Sequence, residues 1–130
     1  MAVSEEVLEH ALDLFRGLGP LRTGRMFSGV ALYAEDDVMF AMIASSGTIY
    51  MKSDDSTEAQ FLAAGSVPFF YTRATGERQV TSLMSMPDSA ADDPEDAVGW
   101  ARLSMGPARI AADKKRAEKA RKAARKAKSS

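Results

Sequence analysis

The apolar positions of the first twenty residues recur at helical spacing. Val7, Leu8, Ala11, Leu12, Phe15 and Leu18 follow a 3.6-residue period. Ser4 stands where an N-cap belongs, and Glu5 and Glu6 occupy the first turn, where carboxylates favour the helix dipole. Gly17, Gly19 and Pro20 stop the helix. From Arg25 the texture changes to that of strands. Phe27 to Ala34 reads as a strand, with Val30 and Leu32 on one face and Ala31 and Tyr33 on the other. Glu35-Asp36-Asp37 is a polar turn. Val38 to Ala44 is apolar on both faces, which predicts a central strand covered on both sides. Ser45-Ser46-Gly47 makes another turn and Thr48 to Lys52 a third strand. Turns this short predict an antiparallel meander.

Asp55 followed by Glu58 has the spacing of a capping box. The helix it would start buries Phe61 and Leu62 and ends at Gly65. Phe69 to Thr72 is the next strand. A loop containing Gly76 leads to an alternating strand, Val80 to Met86, closed by Pro87. Asp93-Pro94 is a helix start, with Asp as N-cap and Pro at the first helical position. That helix carries Val98, Trp100, Ala101 and Leu103, and Gly106-Pro107 is expected to kink or end it. Ala112 to Lys128 permits a helix by propensity but has almost no apolar face beyond alanine, so a frayed helix or disorder is expected. The pattern reads as an α+β fold of order α-β(3)-α-β(2)-α, an antiparallel sheet packed with helices, plus a basic C-terminal tail. The expected division is a domain over residues 1–108 and a tail over residues 109–130.

Composition narrows the function classes. A chain of 130 residues is about one domain, and 45% hydrophobic residues supply one core. With no cysteine, thiolate nucleophiles, disulfides and Cys-based metal sites are excluded. The N-terminus is acidic without an apolar signal core, and no apolar run is long enough for a membrane span. The expectation is a cytoplasmic protein with no membrane association. The net charge of −1 conceals an asymmetry. Residues 1–112 hold 8 Lys/Arg and 16 Asp/Glu, whereas residues 113–130 hold 9 Lys/Arg and 2 Asp/Glu. An acidic body is joined to a basic tail.

The sequence holds few residues in arrangements that suit catalysis. His10 has neither a nucleophile and orienting partner nor companions at metal-ligand spacing, and reads as a surface helix residue. Gly17-x-Gly19 with Gly24 fits no phosphate loop and follows a helix, whose C-terminal carbonyls repel phosphate. Ser28 lies outside any Gly-x-Ser-x-Gly elbow. Glu35, Asp36 and Asp37, and the group Asp88, Asp92, Asp93, Glu95 and Asp96, do not fit a calcium loop and read as solvated turn and capping residues. The methionines of the strands read as core filler, with part of the set available to a dimer interface. No cofactor is implied.

The tail is the clearest physical signal. Lys114, Lys115, Arg116, Lys119, Arg121, Lys122, Arg125, Lys126 and Lys128 are candidate nucleic-acid contacts, since cations neutralise phosphates and release counterions. The tail lacks interleaved aromatics, so base stacking is not expected from it.

Arg25-Met26-Phe27-Ser28-Gly29-Val30-Ala31-Leu32-Tyr33 resembles the R-M-F-G-G-x-x-x-Y opening of the TfoX N-terminal domain family (TfoX/Sxy). Val38-Met39-Phe40-Ala41-Met42-Ile43 resembles its x-x-F-A-L-I strand, and Ile49-Tyr50-Met51-Lys52 its L-Y-L-K, followed by an acidic turn at Asp54 and Asp55. Phe61, Ala64-Gly65, Pro68-Phe69 and Pro87 continue in order, over roughly residues 5–105. The family-motif positions are Arg25, Met26, Phe27, Gly29, Tyr33, Phe40, Tyr50 and Lys52. Ser28 replaces the usual second glycine, and Ser85-Met86 stands where the family often has an aromatic pair. The resemblance implies the same element order, a non-enzymatic role in regulating competence for DNA uptake as a transcriptional co-regulator, and a basic tail where full-length competence regulators carry a second domain. Stand-alone domains of this kind need not serve competence.

The leading expectation is thus a non-enzymatic regulatory and interaction domain, its protein partner unidentified and a homodimer among the options. The tail would add nonspecific DNA affinity. The alternative is a small-molecule binding module or cryptic enzyme with a pocket near Arg25, Tyr33, Tyr50 and Lys52.

Overall fold

A computed structural model describes residues 3–73 and 75–128. The chain runs α1 (Glu5–Leu14), β1 (Arg22–Met26), β2 (Gly29–Ala34), β3 (Val38–Ile43), β4 (Ile49–Lys52), α2 (Glu58–Ala63), β5 (Pro68–Arg73), β6 (Gly76–Ser85) and α3 (Pro94–Lys128). One antiparallel six-stranded sheet has the order β1-β2-β3-β4-β6-β5. The α+β class, the antiparallel sheet and the C-terminal helix are those expected from the sequence. The structure adds one strand ahead of the expected three: β1 pairs with β2 from Arg22↔Tyr33 to Met26↔Gly29. Phe27 and Ser28, read as part of a strand, form the hairpin turn instead.

The helix starts follow local chemistry. The Ser4 hydroxyl accepts the Val7 N–H at 3.3 Å. Asp93 Oδ1 accepts the N–H groups of Glu95 and Asp96 at 3.1 and 3.3 Å, with Pro94 as the first helical residue. The capping box at Asp55 does not form. Asp54 organises that turn, its Oδ1 accepting the Ser56 N–H at 2.9 Å, and the helix begins only at Glu58. Phe61 is fully buried, but Leu62 is 52% exposed because a helix of six residues presents a single residue to the core.

All three helices pack on one sheet face. There Phe15, Leu32, Phe40, Ile43, Met51, Phe61, Met84, Ala101 and Met105 form the main core. Phe15 meets Phe40 edge-on at 5.2 Å, and Phe61 lies 4.9 Å from Trp100. Such ring pairs stabilise by about 0.5–1.5 kcal/mol beyond their burial. The other face carries a second cluster of Met42, Ala44, Phe69 and Leu83, with Met26, Met39, Tyr50, Tyr71 and Val80 packed around it. β3 is therefore covered on both sides, as its apolar run predicts.

The sheet is strongly curled. β1 and β5 are its two edges, and five gaps of about 4.8 Å would hold them some 24 Å apart in a flat sheet. Yet Phe27, at the β1–β2 turn, stacks on Tyr71 of β5 at 4.8 Å and touches Phe69 at 5.5 Å. Two register shifts, at Leu32/Tyr33 and Pro68/Phe69, provide the bends.

Of the kink or end expected at Gly106-Pro107, the end does not occur: α3 continues through them and stays helical to Lys128. Pro107 costs one backbone hydrogen bond, but Gly106 has no Cβ to clash with the proline ring. Pro107, Ala108 and Ala112 are then buried against the body. The helix crosses the expected division between residues 108 and 109 without interruption.

Candidate functional site

The acidic β2–β3 turn is the anchor of the basic helix. Glu35 and Asp36 adopt φ of 47° and 73°, which turns the chain tightly and presents three carboxylates together. Arg109 donates from Nε and Nη2 to the two oxygens of Glu35, and Arg116 donates from Nε and Nη2 to the two oxygens of Asp37, both at 2.8 Å. Arg116 also pairs with Asp113. Arg22 Nε donates to the Asp36 carbonyl at 2.9 Å, and its guanidinium lies 5.0 Å from the centre of the Tyr33 ring. The hydrogen bond from Arg109 holds the Glu35 carboxyl below its ordinary range, and that from Arg116 does the same for Asp37. Both guanidinium groups are correspondingly raised. The turn read as merely solvated is a two-pronged clamp on α3. Arg116, one of the candidate nucleic-acid contacts, is committed to it.

Beyond the clamp the helix projects. Residues 117–128 are all exposed and extend about 18 Å. At about 100° per residue, Lys119, Arg121, Lys122, Arg125, Lys126 and Lys128 occupy one half of the helix surface. Ala117, Ala120, Ala123, Ala124 and Ala127 occupy the other. Lys115, Lys119 and Lys122 line a groove of about 540 Å³ with Tyr33 and Asp37. Lys114 is exposed at the base of the projection.

The family-motif residues divide into structural and exposed sets. Gly29 has no room for a side chain: a Cβ there would lie 2.1 Å from the Ile43 carbonyl oxygen on β3. Phe40 is buried in the main core and Met26 is half-buried in the second cluster. The Tyr33 ring lies over Gly24, where a Cβ would meet it at 3.1 Å. Tyr50 packs on Phe69 at 4.9 Å. Phe27 is 42% exposed at the hairpin tip. Arg25 is exposed and, with Phe27, Ser28 and Val3, lines a groove of about 610 Å³. Lys52 is half-buried at the end of β4, and burial, then the charge of Lys115, lowers its ammonium below the ordinary lysine value.

The proposed pocket of Arg25, Tyr33, Tyr50 and Lys52 is not assembled. Arg25 is in register with Val30, which faces the helices, while Tyr50 belongs to the opposite face. Tyr33 lines the groove under the tail helix instead. The sequence pattern puts these residues on neighbouring strands but does not give the register, and one step of register changes the face.

His10 Nε2 lies 2.8 Å from the Ala91 carbonyl and 3.6 Å from Asp92, half-exposed, as a surface tie between α1 and the approach to α3. In the second acidic group Asp93 caps α3 and Asp96 accepts the Ser89 hydroxyl. Among the described residues no His, Asp and Glu groups are gathered as metal ligands, and no helix is long and apolar enough to cross a membrane.

Sequence reasoning missed the clamp. Its signal was present as paired opposite charges, but the partners are 74 and 79 positions apart. No curated protein matches the chain. The family model described as the TfoX N-terminal domain matches residues 13–108, which spans the sheet, the acidic turn and the start of the clamped helix. The chain belongs to the TfoX N-terminal domain family, a family of regulatory type.

Proposed function

We propose that this chain is a non-enzymatic regulatory and interaction domain of the TfoX/Sxy type, working in the cytoplasm, whose projecting helix gives it nonspecific affinity for duplex nucleic acid. The observation that carries this reading is the exposed basic half-surface of residues 117–128, held away from an acidic body by the Arg109 and Arg116 clamp. A preformed helix with cations on one side meets phosphates without an ordering cost on binding. The body contacts protein, a second copy of the chain being one option, through the sheet edges β1 and β5.

The test is fluorescence polarisation of a labelled random duplex against the full chain and a variant with Lys119, Arg121, Lys122, Arg125, Lys126 and Lys128 changed to Gln. The full chain binds with an affinity that falls steeply as salt rises, and the variant loses most of that binding. Equal binding by the two proteins, or binding indifferent to salt, refutes the role given to the tail.

A further inference from the structure

We propose that the groove between the start of the tail helix and the end of β2 is a phosphate cleft, in which body and tail together seat the backbone of one strand of a duplex. This rests on the reading of the chain as a nucleic-acid binder and says where on its surface the backbone lies. The first observation is the continuity of one stripe of α3. Ala101, Met105, Ala108 and Ala112 recur at helical spacing and are buried against the body. Lys115, Lys119 and Lys122 continue the same stripe, since five turns of helix take about 18 residues and bring Lys119 to the azimuth of Ala101. The stripe holds apolar residues while the body lies opposite it and lysines where the groove opens. These lysines line a groove of about 540 Å³ whose other wall is Tyr33 and Asp37.

The second observation is that the charge gathered there lacks a counter-ion. Four cations and two carboxylates line the groove. Asp37 gives both its oxygens to Arg116, which leaves Glu118 against three lysines. Lys115, Lys119 and Lys122 have no ion-pair partner among the described residues, and neither has Lys52 at the end of β4. Lys52 is half-buried, and the charge that acts on it is that of Lys115, another cation. A half-buried cation beside a second cation is unfavourable until an anion joins them. The third observation is length. Lys115 to Lys122 spans about 10 Å of helix. The same length of duplex carries about three phosphates on one strand, so the row matches a backbone better than a single phosphate. The Arg109 and Arg116 pairs hold the helix against the body, so the cleft exists before the strand arrives.

The experiment is fluorescence polarisation of a labelled random duplex over a range of salt, with the full chain and its variants. One variant changes the groove row, Lys115→Gln, Lys119→Gln and Lys122→Gln together. A second changes the outer row, Arg121→Gln, Arg125→Gln and Lys128→Gln together. The two remove the same charge from exposed positions of one helix, so attraction by net charge alone affects them alike. Lys52→Gln probes the body, with its fold verified by circular dichroism, and Lys115→Gln alone probes the same spot from an exposed position. The expected result is that the groove row lowers the slope of log affinity against log salt by about 3 and the outer row by about 1 or less. Lys52→Gln lowers it by about 1, although it lies outside the tail. Equal losses in the two rows overturn the cleft and leave the tail reading standing, as does wild-type binding by both Lys52→Gln and Lys115→Gln. Absence of duplex binding by the full chain refutes the tail reading and the cleft with it. Pyrophosphate separates a free ligand from a backbone. Displacement of the duplex by micromolar pyrophosphate, abolished in the groove-row variant, would assign the site to a small phosphate compound and overturn the proposal.

Discussion

Three residues show how much a single position carries. Gly29 is required by the approach of the β3 backbone, since the Ile43 carbonyl oxygen occupies the place of a Cβ. Gly29→Ala must push β2 and β3 apart at their register, and a loss of about 1–3 kcal/mol is expected in urea unfolding. Ser28, beside it, has φ of 68° and tolerates what glycine would do without strain. Ser104 is the opposite case. Its hydroxyl is fully buried on α3 without a hydrogen-bond partner among the described residues. Ser104→Ala removes an unsatisfied group and nearly preserves volume, so a gain of about 1 kcal/mol is expected in the same measurement. A loss there would mean that the hydroxyl has a partner after all.

At the scale of elements the decisive object is α3. Its N-terminal half is positioned by apolar burial and its C-terminal half by charge. Alanine and lysine favour a helix but do not choose its direction. The Glu35–Arg109 and Asp37–Arg116 pairs choose it. Both pairs are half-exposed, and salt weakens them. Replacing Glu35 and Asp37 by Gln and Asn should leave the sheet intact and lower amide-exchange protection in residues 109–120. Acid should act in the same way. Both carboxyls sit below their ordinary values of 4.5 and 3.8 in the folded chain, so the stability they contribute is complete above those values. It is lost as pH falls through the depressed folded values. Protection factors for residues 109–120 should therefore fall on acidification below about pH 4, and the double variant should show no such step.

At the scale of the whole molecule the charge is unevenly divided among the elements. By sequence the helices and loops of the body are net acidic, the strands net basic, and the tail more basic still. A continuous α3 of 35 residues is about 52 Å long, so the basic end cannot fold back onto the acidic residues at its own start. Among the described residues the tail meets its own body at the clamp and at the groove beside it. The near-neutral total therefore describes none of the surfaces a partner would meet.

Sequence alone determined what depends on neighbours along the chain. The period of α1, the doubly apolar β3, the cap at Ser4 and the Asp93-Pro94 start are local statements, and each stands in the structure. The order of motifs also identified the family, since spacing survives without knowledge of contacts. Tertiary structure decided what depends on partners far apart in sequence. β1, with Gly24 in the middle and two exposed arginines, shows no alternation and is a strand only because β2 pairs with it. The exposure of Leu62, the passage of α3 through Pro107 and the clamp at Glu35 and Asp37 depend likewise on what lies opposite. So does the separation of Arg25 from Tyr50. A hydrophobic period constrains one element at a time, whereas register and long-range ion pairs are set by the packing of several elements at once, and it was packing that placed the rings and cations of this domain.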